Sequence, residues 1–120
     1  MTTDKELLEL AAKAAGIEIE PCTCSNKKWP FKIKNDFGTV HWNPLASDGD
    51  ALRLAVKLTS ESKGASFTLS ISKMHDGRGF ADAGFFSHIN PTEQAINADI
   101  AAATRRAIVR AAAEIGKAMP

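Results

Sequence analysis

Residues 42–58, WNPLASDGDALRLAVKL, constrain what this chain can fold into more tightly than any other stretch. Asn43-Pro44 turns the chain out of an extended segment, because proline has no backbone donor and disfavours helix in the residue before it. Ser47, with Asp50 three positions on, then supplies acceptors for the unpaired amides of a helix start. The helix predicted to follow is apolar around most of its circumference. Ala51, Leu52, Leu54, Ala55, Val56 and Leu58 leave only Arg53 and Lys57 as a narrow polar edge. Such a helix is covered on two sides or docks a partner. The segment marks a fold and carries no catalytic chemistry.

Periodicity places the other elements around it. Residues 3–15 predict a helix opened by Thr3 and Glu6 as a capping box and stopped by Gly16, with Leu7, Leu8, Leu10, Ala11, Ala14 and Ala15 inward. Residues 20–28 read as a polar connector. Phe31 and Ile33 alternate with Lys32 and Lys34, and Val40 and Trp42 alternate with Thr39 and His41. Joined by Asn35-Asp36-Phe37-Gly38, these runs predict a hairpin. Pairing Ile33 with Val40 and Phe31 with Trp42 collects the four apolar side chains on one face, and a one-residue slip scatters them. A second hairpin is expected from Phe67, Leu69 and Ile71, a turn at residues 74–79, and a strand near residues 80–87 with Ala81, Ala83 and Phe85 inward. Asn90-Pro91 with Glu93 reads as another helix start. A last helix is expected from about Asp99 to Gly116, with Ile100, Ala103, Ala107, Ile108, Ala111 and Ile115 on one face. Arg106, Arg110 and Glu114 fall largely on the other, and Arg110 with Glu114 has the spacing of a helical ion pair. The order is helix, hairpin, helix, hairpin, helix: one α+β domain over residues 1–120, with a mainly antiparallel sheet of about four strands covered by helices.

WNPL followed by DGDALRLAVKL, with ATRRAIVRAAAEIG at residues 103–116, resembles a group of small phage and prophage proteins of unknown function. These are similar to the phage ABA sandwich domain, a sheet between helical layers. The opening ELLELAAKAAGIE at residues 6–18 fits as well, so the resemblance spans roughly half the chain. It leaves out residues 21–36 and 73–97. The resemblance implies an alpha-beta-alpha sandwich and the cytoplasm of an infected or lysogenic bacterium. It implies no activity and carries over no functional residue.

Bulk properties bound the function. A chain of 120 residues is one domain by size, and a net charge of +1 gives no global field toward nucleic acid or membrane. The same balance speaks against an acidic DNA mimic. The first residues lack a basic-then-apolar leader, and no apolar run reaches membrane-spanning length. Two cysteines without signs of secretion point to reduced thiols in a cytoplasm.

Four groups of residues invite chemistry. Cys22-Thr23-Cys24 could hold a metal with His41, His75 or His88, but C-x-C is shorter than the usual zinc spacing and lacks a second pair, so no metal and no cofactor are expected. Asp76-Gly77-Arg78-Gly79 has the glycines of a phosphate loop without its Lys-Ser/Thr, and reads as a hairpin turn. Arg105, Arg106 and Arg110 read as the solvated side of a helix, with phosphate binding as the competing reading. Lys27-Lys28-Trp29-Pro30-Phe31-Lys32-Ile33-Lys34 interleaves lysines with aromatics, which suits nucleic acid, whereas the strand alternation suits an edge guarded by lysine.

No nucleophile, base and orienting group stand in a recognisable pattern, so the chain is not expected to be an enzyme. The leading expectation is a small phage accessory protein that binds a host protein, for instance to neutralise a defence system such as CRISPR. Its partner-binding residues would be Lys28, Trp29, Lys32, Lys34 and His41. Weak or no nucleic-acid binding and no membrane contact are expected, with a homodimer left open. The alternatives are a nucleic-acid-binding module using the basic hairpin and, third, a small enzyme or metal protein.

Overall fold

A computed structural model describes residues 3–22, 29–35, 38–61, 66–85 and 93–119. Three helices and six strands follow in the order α1 (Asp4–Ala15), β1 (Glu20–Pro21), β2 (Phe31–Asn35), β3 (Gly38–Trp42), α2 (Asp48–Glu61), β4 (Phe67–Lys73), β5 (Gly79–Phe85), β6 (Glu93–Asn97) and α3 (Ile100–Ala118). The class is α+β, as expected, but the strands form two three-stranded antiparallel sheets, β1-β2-β3 and β4-β5-β6, in place of one sheet of about four.

Local chemistry explains each helix. Thr3 caps α1 by accepting from the Glu6 amide at 3.1 Å. At its other end Gly16 takes φ 67°, and the amides of Gly16 and Ile17 donate to the carbonyls of Lys13 and Ala12. This is a Schellman stop, which an L-residue other than glycine enters at a cost. For α2, the Ser47 hydroxyl accepts from the Asp50 amide at 3.2 Å. Asp50 then reaches back, its Oδ2 accepting from the buried Asn43 amide at 2.9 Å. Asn43 Oδ1 in turn accepts from the Leu45 amide at 2.9 Å. The WNP…SDGD pattern is thus a closed polar knot, and it keeps the buried Asn43 and Asp50 satisfied. Asp99 caps α3 through the Ala101 amide at 3.1 Å.

One apolar cluster joins the helices to both sheets. Ala81, Ala83 and Ala95 line one face of the second sheet, and α3 lies on it with Ala103, Ala107 and Ala111 turned inward. The small side chains permit this close approach, and Gly79 beneath Ile100 extends it. α1 runs along α3, and Gly116 of α3 meets the Leu10 backbone there. Phe31 and Trp42 bring the first sheet into the core.

Several expectations are corrected. Glu93–Asn97 is a strand, because pairing with β5 satisfies its backbone and turns Ala95 into the core, and this outweighs the cap-like Asn90-Pro91 signal. Residues 90–92 themselves lie outside the described residues. Glu20–Pro21 belongs to the first sheet and not wholly to a connector. Thr68, Ser70, Ser72, Gln94 and Ile96 leave the opposite face of the second sheet exposed, so among the described residues this sheet has helix on one face only. Ile100 is exposed at the start of α3. Glu114 pairs with Lys117 at 3.0 Å, whereas Arg110 turns to the Gln94 carbonyl at 2.8 Å.

Candidate functional site

The first sheet carries the residues singled out in the sequence. Its register pairs Phe31 with Trp42, Lys32 with His41, Ile33 with Val40 and Lys34 with Thr39, as the alternation requires. Phe31 and Trp42 are buried at 4% and 3% exposure, Ile33 is half-buried, and Val40 is 42% exposed near the hairpin's far end. The outward row is polar. β1 extends it by setting Glu20 opposite Lys32, so acid, lysine and imidazole follow across three strands. Opposite charges facing each other on adjacent strands favour this register.

Two groups converge on the exposed His41. Trp29 stacks on its ring, with centroids 5.4 Å apart and planes inclined by 24°. Cys22 continues the ladder beyond β1 by donating its amide to the Pro30 carbonyl at 2.9 Å, and its Sγ lies 3.4 Å from His41 Nδ1. The imidazole is thereby held against both an indole and a thiol. Trp29 is half-buried, which leaves part of the indole at the surface. Lys34 projects at the rim of a groove of about 400 Å³ between the end of α1, the hairpin and α2. Glu18, Arg53 and Lys57 share that rim above Ile17 and Leu54. Lys28 lies outside the described residues. Trp29, Lys32 and His41 therefore form one patch, with Lys34 one step along the strand.

The remaining chemical candidates resolve differently. The structure joins Cys22 to His41, two of the residues considered for a metal, while His75 sits in the turn of the other sheet and Cys24 and His88 lie outside the described residues. Among the described residues no group of three or more His, Cys, Asp or Glu side chains is arranged to hold a metal ion. A thiol beside an imidazole is also the geometry of a nucleophile and its base. Here the ring is exposed and stacked on an indole, and among the described residues no carboxylate orients it. Residues 74–79 form a turn: the Gly77 amide donates to the Met74 carbonyl at 3.0 Å, Gly77 takes φ 90°, and the Arg78 guanidinium meets Asp76 at 2.6 Å. The hydrogen bond from the Arg78 amide, reinforced by its guanidinium, holds the Asp76 carboxyl below the usual range.

The three arginines of α3 are structural ties and not an open solvated row. Arg105 donates to the Leu45 carbonyl at 2.9 Å and to Asp48 at 2.6 Å, fastening the turn before α2. Arg106 makes a two-pronged pair with Asp4 of α1 at 3.0 and 3.1 Å. No helix is long and apolar enough to cross a membrane among the described residues.

Sequence reasoning missed the part β1 plays. Two residues are too few to show alternation, yet their pairing brings Cys22 beside the hairpin. It also missed that Leu52 and Val56 stand at the surface, 62% and 55% exposed, because a helix apolar all round does not reveal which side is covered.

Comparison of the chain with protein-family models, curated proteins and solved structures finds no match.

Proposed function

We propose that this chain is a non-catalytic binding protein that docks a protein partner on the outward face of its first hairpin. The observation that carries this reading is the Trp29–His41 stack beside Lys32 on a strand face directed away from the core. A partly exposed indole held rigid by a second ring loses little freedom on binding, and tryptophan is among the residues that anchor interfaces. Lys32 and Lys34 select an acidic surface around an apolar spot and speed encounter with it. With the phage resemblance of residues 42–58 and 103–116, the partner is a host protein in the bacterial cytoplasm, a component of a defence system such as CRISPR being the foremost candidate.

The test compares capture from a bacterial lysate by the native chain and by Trp29→Ala with Lys32→Glu. Capture of the specific partner is expected to fall more than tenfold while the melting temperature stays nearly intact. Full retention of capture contradicts the reading, and so does loss of folding, which would make the hairpin scaffold.

The same stack and lysines favour one alternative, a single-stranded nucleic acid whose bases extend the ring stack. A chain of net charge +1 neutralises few phosphates, so such binding is expected to be weak and to vanish with added salt. Tight binding at physiological salt that Lys32→Glu abolishes would put nucleic acid first.

A further inference from the structure

We infer that two copies of this chain join through β4, pairing the strand edge to edge about a two-fold axis to form one continuous six-stranded sheet. β4 is the first strand of the order β4-β5-β6, and no described strand pairs with its other edge. Its seven residues pair with β5 without a break or bulge. Solitary proteins blunt such an edge with proline, a bulge or inward charge. β4, FTLSISK, has no proline and no bulge, and its one charge, Lys73 on the inward row, stands at the very end of the strand.

The side chains are self-complementary. Phe67, Leu69 and Ile71 point to the face that α3 lies on, yet α3 covers chiefly β5 and β6, leaving Leu69 37% and Ile71 50% exposed. Overlap of the whole strand with its copy sets Ser70 opposite Ser70, Leu69 opposite Ile71, Thr68 opposite Ser72 and Phe67 opposite Lys73. On the inner face Leu69 meets Ile71 and Phe67 meets the aliphatic stem of Lys73, on the outer face hydroxyl meets hydroxyl, and the two lysines stand at opposite ends. A one-residue slip would set Leu69 against Ser70 and turn the two inner faces in opposite directions.

Beside the start of β4, Leu52 and Val56 of α2 border a shallow groove that reaches Phe67. Leu52 and Val56 on α2, 62% and 55% exposed, thus add apolar surface next to that of Phe67, Leu69 and Ile71 on β4.

Sedimentation equilibrium of the full chain at roughly 100 µM tests this, a concentration at which mass action populates even a modest dimer. The expected mass is twice the 12.8 kDa of one chain. Ile71→Lys and, separately, Leu52→Glu are expected to give monomers with the native circular dichroism spectrum, since both side chains are already half exposed or more. Register is read independently with Cys22 and Cys24 replaced by serine: Ser70→Cys is expected to cross-link into a covalent dimer on mild oxidation, and Lys73→Cys is not. A monomeric native chain overturns the inference. So does a dimer indifferent to both surface substitutions, or cross-linking at Lys73→Cys in preference to Ser70→Cys. Should Ile71→Lys fail to fold, the Ser70→Cys and Leu52→Glu results decide.

Discussion

Gly116 shows how far one atom governs the helix packing. It sits inside α3, where alanine ordinarily stabilises a helix by about 1 kcal/mol. A Cβ here would run into the Leu10 carbonyl of α1. Gly116→Ala is therefore expected to destabilise by about 1–3 kcal/mol, the usual cost of overpacking, as read from a urea titration. Glu93 is the opposite case, a residue carried at some cost. Partial burial, then repulsion from Glu114, raises its pKa above the ordinary 4.5, with Arg110 and Lys117 pulling the other way. Its charged form is disfavoured by folding, so its contribution is unfavourable at neutral pH and is relieved as pH falls through the raised pKa. Glu93→Gln should raise the melting temperature at pH 7, and that gain should shrink toward zero as pH falls to the ordinary glutamate range. A gain that grows on acidification would contradict this assignment.

At the scale of elements, α2 separates two faces that look alike in sequence. Leu54 is fully buried among the core residues while Leu52, two positions earlier, is largely exposed. Leu54→Asp is expected to cost on the order of 3 kcal/mol or more, because it buries a charge and removes apolar contact. Leu52→Asp in a dilute monomer should stay within about 0.5 kcal/mol. Equal urea midpoints for the two variants would show that the face assignment is wrong. Both ends of α1, the start of α2 and the register of the first hairpin were legible, because caps, a positive-φ glycine and strict alternation act locally. β6 was not, since five residues after a cap-like Asn-Pro take their strand form from β5, a distant partner. Within the candidate site, Lys32 opposite His41 followed from alternation alone. The Trp29 stack and the Cys22 contact depend on β1 and on the chain on either side of residues 23–28, which no local pattern encodes.

Over the whole molecule, α3 is the common support: its small residues seat the second sheet and α1, while Arg105, Arg106 and Arg110 tie it to the turn before α2, to α1 and to β6. The first sheet joins this body through Phe31 and Trp42 and turns its other face outward, the arrangement of a scaffold with a presented surface. The most direct test is a nuclear magnetic resonance titration of the isotopically labelled chain with the partner obtained by capture. The expected result is that shifts and broadening concentrate on the Trp29 indole, Cys22, Lys32, Lys34 and His41, while the amides of α3 stay in place. Perturbation centred elsewhere, with these signals unchanged at saturation, would contradict the hairpin as the docking face.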